Sequence, residues 1–267
     1  MVVILIAVLA TLLAPALSSV EGQHPETMSL LGEPLYAPSL SKGERAKAES
    51  ALTSARAAYE RRPNDPAAVI AFEQANLALG RVGDALEILT HGLEVNPDEP
   101  RLLLERGRSY IRIRKFEVAE RVLRKASATL ASAKCTLALA IYLSGDFSRA
   151  RDAYASCAEP GIFAYLAERR AGAAPGTRPT ASEPLPSAPP VIRLPGTVTS
   201  ARKEPAQPIA ANYLDAIERL LAGDTDQARE RLKKIVEKNR RNDWMEPAYI
   251  AAEADYARLK KPGKRKK

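Results

Sequence analysis

Along most of this chain apolar residues recur three and four positions apart, the period of a helix with one buried face. The first such stretch follows Ser41, an N-cap residue with Glu44 in the first turn, and puts Ala46, Leu52, Ala55, Ala58 and Tyr59 on or near one stripe. Pro63 and Pro66, in RRPNDP, end it. Beyond that point the pattern repeats itself. With Gly80 set above Arg114, an offset of 34, Ala85 falls on Ala119, Leu89 on Leu123 and Gly92 on Ala126. A further 31 residues bring Gly145, Ala150, Tyr154 and Cys157 to the same places, and Gly223, Ala228, Leu232 and Ile235 make a fourth copy. Each unit reads as two helices of about 12 residues joined by a tight turn. Ala85, Ala119, Ala150 and Ala228 sit one turn into each second helix, where an antiparallel partner must approach to about 8–10 Å. Gly107 and Ala138 play the matching part on first helices, and Leu89, Leu123, Tyr154 and Leu232 fill the seam. A lone pair cannot cover its apolar face, so the units must stack.

These residues resemble the tetratricopeptide repeat family, whose pattern runs aromatic, Leu-Gly and Tyr on the first helix, then Ala, an aromatic and a terminal Pro on the second. The best copy starts at Pro100 and has Leu103, Gly107, Tyr110, Phe116, Ala119, Leu123 and Ala126. The copy from Pro66 has Val69, Phe72, Gly80, Ala85, Leu89 and Pro97, but Glu73 stands where Gly is usual. The third has Leu137, Ala138, Gly145, Phe147, Ala150 and Tyr154, and the fourth keeps only Ala216, Gly223, Ala228 and Leu232. The expected architecture is all-α, a helix-turn-helix repeat solenoid with a Pro-rich linker and a C-terminal helical module. An array over 41–171 contains a capping helix (42–61), repeats at 66–99, 100–130 and 131–160, and a helix at 162–171.

Other stretches lack the helical period. Val2 to Leu17 is uncharged and apolar, short of the roughly 20 residues that span a bilayer, and is followed by small residues at Ser18 and Gly22. Residues 1–22 read as a cleaved export signal, with an uncleaved anchor or a buried helix as the alternatives; no Lys or Arg precedes the run. Residues 23–40 carry three prolines and read as an extended leader. Residues 172–209 hold nine of the 20 prolines and read as a tether, within which VIRLPGTVTS has some strand propensity. Residues 210–259 are expected to form a degenerate hairpin and a last helix from about Glu246, with Tyr249, Ala252, Tyr256 and Leu259 at helical spacing as a solubilising end cap.

Composition narrows the chemistry. Forty Lys and Arg against 32 Asp and Glu give +8, yet residues 258–267 hold seven positive charges and no negative ones. The body is therefore nearly neutral, and the basic tail at 260–267 is a separate feature. Such a tail binds polyanions weakly and in a salt-dependent way, and aromatics at 5% offer little base-stacking surface. No specific nucleic-acid partner is expected. Two histidines, His24 and His91, and two cysteines exclude a zinc ribbon and a Cys-rich scaffold. No nucleophile elbow, zincin motif or phosphate-binding glycine loop occurs. Acid pairs such as Asp84 with Glu87 and Glu253 with Asp255 read as solvated faces. The chain is expected to be no enzyme and to need no cofactor or metal. Cys135 and Cys157, on the first and second helices of the third repeat, are either a disulfide or two small thiols.

What the resemblance implies is a scaffold or adaptor holding a protein or peptide partner in the concave groove lined by first helices. Mapped onto this chain, that surface is Ile70, Gln74, Leu77, Arg101, Leu104, Arg108, Ile111, Arg112, Cys135, Leu139 and Tyr142. Its three arginines suit an acidic, partly apolar segment, or else solvate the helix and pair with Glu105. Export would place the protein in the periplasm or another extracytoplasmic space, with membrane proximity if the first segment is retained. The alternative function is polyanion or membrane-surface binding through the basic tail. The oligomeric state is left open.

Overall fold

The computed structural model describes residues 24–158, 160–174 and 209–260. The N-terminal apolar segment, most of the Pro-rich linker with its VIRLPGTVTS stretch, and residues 261–267 of the basic tail lie outside the described residues. Among those described, the chain forms eleven α-helices and one small antiparallel ribbon. A single helix, α1 (Lys42–Arg61), is followed by three hairpins: α2 (Pro66–Ala78) with α3 (Val82–Val95), α4 (Pro100–Arg112) with α5 (Phe116–Thr129), and α6 (Ser132–Ser144) with α7 (Phe147–Tyr154). Helix α8 (Gly161–Arg170) continues the stack. The C-terminal module is α9 (Ile209–Leu221), α10 (Thr225–Asn239) and α11 (Pro247–Leu259). Each helix packs on the next, and α2, α4, α6 and α8 also pack in succession. The protein is an all-α helical-repeat solenoid.

Local chemistry sets the boundaries. Ser41 and Glu44 form a reciprocal capping box at α1. Asp65 caps α2 and Glu99 caps α4, each with Pro as the first helical residue, where its missing N–H costs nothing. On α1 the buried alanine is Ala48, whereas Ala46 faces solvent. The repeat seam is as tight as the small residues require. Ala85, Ala119, Ala150 and Ala228 are fully buried, and so are Leu89, Leu123 and Leu232. At Gly107 a Cβ would stand 2.4 Å from Leu123 Cγ. The aligned turn residues Gly80, Arg114, Gly145 and Gly223 all adopt left-handed backbone, at φ 78°, 63°, 100° and 87°. Arg114 is the only non-glycine with positive φ among the described residues, and the price of about 1–2 kcal/mol calls for a reason that the site supplies.

Two expectations are corrected here. The leader is not simply extended: β1 (Thr27–Met28) pairs antiparallel with β2 (Pro34–Leu35), and Leu35 is buried in the main core. The last helix is not an outer cap. Pro247 to Asp255 are buried on every side, because α11 lies between α10 and α9 on one flank and α6 on the other. Tyr249 and Ala252 are buried, while Tyr256 and Leu259 are half-buried.

Candidate functional site

The first-helix face was the expected binding groove, and its residues fall into two groups. At the start of the array Ile70 and Gln74 on α2 are half-buried, and Arg101 on α4 is exposed with its guanidinium on Glu99 at 2.8 Å. Further along, Leu77, Leu104, Ile111, Arg112, Cys135, Leu139 and Tyr142 are all buried. Arg108 is also withdrawn and pairs with Glu105 at 2.6 Å. The groove is therefore not an open channel along its length. Its far end is filled by the protein's own C-terminal module.

Helix α11 does this through two carboxylates that the sequence suggested were solvated. Residues two apart on a helix point about 200° from one another, so Glu253 and Asp255 reach different neighbours. Glu253 takes the Arg114 guanidinium at 2.6 Å and the Leu30 amide at 2.5 Å. Arg114 also donates to the Trp244 carbonyl at 2.9 Å and to the Arg112 carbonyl, and lies against the Trp244 and Tyr249 rings. This is the reason for an arginine where the other turns have glycine. A side chain is needed there to reach across to α11.

Asp255 accepts from Arg170 of α8 at 2.6 Å, from the Tyr213 hydroxyl of α9 at 2.7 Å and from Arg258 at 2.7 Å. Tyr142, a groove residue, bonds the Tyr213 hydroxyl at 2.8 Å. Arg170 stacks over Phe147 at 3.6 Å. Burial pushes Tyr142 up to about 12, and burial together with the Asp255 charge raises Tyr213 well above the ordinary tyrosine range. Both phenols stay protonated and act as hydrogen-bond donors.

Between α2 and α4 lies a second buried polar group. Glu73, in the place where the repeat pattern has Gly, is fully buried, and burial followed by the neighbouring Glu105 carboxylate pushes it up to about 8. Its Oε1 stands 3.5 Å from Ser109 Oγ, while Glu73 Oε2 and Glu105 Oε2 take no hydrogen bond. Arg112 faces Glu73, Glu105 and Glu246 at the start of α11. A protonated Glu73 fits this arrangement.

Cys135 and Cys157 are joined by a disulfide with Cα atoms 4.9 Å apart. The expectation that Cys157 sits within the second helix is corrected. Helix α7 ends at Tyr154, so Cys157 lies in the turn beyond it, which brings the chain back towards α6. Asp84, Glu87, His24 and His91 are exposed, as solvated surface groups. Among the described residues no three metal-binding side chains lie close enough to hold an ion, and no helix is long and apolar enough to cross a membrane.

Sequence reasoning missed the Glu253 and Asp255 contacts and the docked leader. The available signal was α11 itself: PAYIAAEAD offers apolar residues all round, the mark of a helix buried on every side. No family model matches the chain, and no curated protein does so either.

Proposed function

We propose that this protein is a non-enzymatic interaction scaffold of the tetratricopeptide-repeat type, working at the cell envelope and holding a polypeptide segment against the first helices of its array. The observation that carries this reading is that the same face already takes polypeptide: Tyr142 and Arg112 of the groove meet Tyr213 and the start of α11. A surface that seats its own chain through paired arginines and buried aliphatics suits another chain of acidic, partly apolar character. The part still reachable is the mouth around Ile70, Gln74 and Arg101. A partner that extends further along the groove competes with the C-terminal module for Tyr142 and Arg112.

The test places a photo-crosslinking residue at Gln74 or Arg101 of the full chain and irradiates the native envelope fraction. A discrete partner band is expected from both positions, absent when Ala128 on α5 carries the crosslinker, and lost from position 74 when Arg101→Glu is added. Identical bands from all three positions, or a band indifferent to Arg101→Glu, refute the reading. N-terminal sequencing of the mature chain checks export; retention of Met1 in a cytosolic extract removes it.

A further inference from the structure

Three of the four large hydrophobic side chains most open to solvent among the described residues lie together on the leader: Met28 at 50%, Leu30 at 41% and Tyr36 at 41% exposed. The ribbon explains why. With Thr27 opposite Leu35 and Met28 opposite Pro34, strand alternation turns Leu35 into the core and leaves Met28, Pro34 and Tyr36 on the outer face. The ribbon is held firmly in this pose. Glu26 accepts from the Val82 amide at 2.8 Å, and the Trp244 indole donates to the Tyr36 carbonyl at 2.7 Å.

The same anchoring sets the ribbon beside the C-terminal end of α10. Arg240 pairs with Glu33 at 3.1 Å, and the Ser39 amide donates to Asn242 at 3.4 Å. Lys238, Arg240 and Arg241 are exposed there. One to two turns back, Arg231 and Lys234 line a surface cavity of about 540 Å³ that Lys238 also borders. An apolar and aromatic tip with a basic rim is the chemistry of an anionic lipid surface, where side chains such as Leu and Tyr enter the headgroup region and cations meet phosphates. The upstream sequence selects a bilayer over a protein partner. The uncharged Val2–Leu17 run ends ten positions before Thr27, the first residue of the ribbon, and ten residues reach at most about 35 Å. Where that run is retained in a bilayer as an anchor, the ribbon is held within that distance of its surface.

We propose that the leader ribbon and the C-terminal end of α10 form a membrane-docking face, with Met28, Leu30 and Tyr36 in the headgroup region of an anionic bilayer and Lys238, Arg240 and Arg241 against its phosphates. The proposal rests on the envelope reading for location alone. The face fixes how the body stands on the membrane.

The full chain is reconstituted into vesicles of phosphatidylcholine with or without phosphatidylglycerol, carrying an environment-sensitive label at M28C, Y36C or, as control, A128C. Labels at 28 and 36 are expected to shift to the blue and to lose severalfold in quenching by aqueous iodide with phosphatidylglycerol present, with no change at 128. High salt, or the R240E/R241E double variant, returns them to the control value. Three outcomes overturn the proposal: positions 28 and 36 as quenchable as 128, shielding equally strong on vesicles without phosphatidylglycerol, which means that something other than an anionic surface covers the ribbon, or shielding that survives R240E/R241E. The crosslinks from Gln74 are measured separately, so loss of either reading leaves the other standing.

Discussion

Replacing Glu253 by Gln removes one charge and almost no volume, and so isolates the contact between α11 and the repeat array. The partner left behind is Arg114, whose side chain is 3% exposed. Breaking a buried pair by neutralising one member costs about 3–5 kcal/mol, because the remaining charge stays out of water. The carbonyls of Trp244 and Arg112 keep part of the guanidinium satisfied, which points to the lower half of that range. Against a total stability of about 5–15 kcal/mol this is a large share. With a urea slope of about 2–3 kcal/mol per molar for a chain of this size, the midpoint falls by about 1–2 M. The only tryptophan of the chain, Trp244, lies 5.5 Å from that guanidinium, so its fluorescence reports the contact while far-ultraviolet dichroism reports the helices. The double variant R114M/E253L replaces the pair by apolar side chains while keeping a Cβ in the left-handed turn, and is expected to recover most of the loss. A midpoint for E253Q within about 0.3 M of the parent, equivalent to less than about 1 kcal/mol, refutes the reasoning, because the pair would then be behaving as a solvated one.

Gly107→Ala gains about 1 kcal/mol in helix propensity but drives a Cβ to 2.4 Å from Leu123 Cγ; overpacking of about 1–3 kcal/mol leaves a net loss near 1 kcal/mol, read by thermal unfolding, and a gain in stability contradicts the close seam. Glu73 binds its proton more tightly folded than unfolded, so its effect on stability is absent below pH about 4.5 and grows as a destabilisation up to about pH 8. Denaturation midpoints across that window are expected to fall less steeply for Glu73→Gln than for the parent, with Glu105, Arg108, Arg112 and Ser109 as the facing groups; parallel curves contradict the buried carboxyl. Reduction of the Cys135–Cys157 bond, or the C135A/C157A variant, opens a loop of 22 residues, and the chain-entropy estimate is a loss of about 3 kcal/mol, to be measured by denaturation with and without reductant.

The helices, their order and the turn row were legible in the sequence because each depends on neighbours within one or two turns. Periodicity placed the seam at Ala85, Ala119 and Ala150, and the offset that set Arg114 beside Gly80 and Gly145 lined up three residues that the structure shows in the same left-handed backbone conformation. Docking between distant segments leaves no such trace. Glu253 meets a residue 139 positions away and Asp255 one 85 positions away, and two acids spaced by one residue in a helix look alike whether water or arginine faces them. The binding face suffered most from this. Tyr142 and Arg112 were rightly placed on first helices, but whether a first helix faces a groove or another part of the chain depends on how residues 209–260 return, which local pattern does not encode. The turn at Cys157 was misplaced for a smaller reason: α7 stops after eight residues, shorter than the repeat period implied.

The Leu30 amide and the Glu253 carboxylate that receives it are 223 residues apart. The leader is among the first parts of the described chain to be made and almost the last to be able to find its place, since its acceptor arrives with the final helix. Until then the leader can hold only its nearer anchor, the Glu26 carboxylate on the Val82 amide, and the loop to be closed spans nearly the whole protein, a slow step in any chain. A nascent chain that has not yet made α11 therefore lacks the carboxylate that receives the Leu30 amide, and this anchor of the leader closes only after α11 is in place.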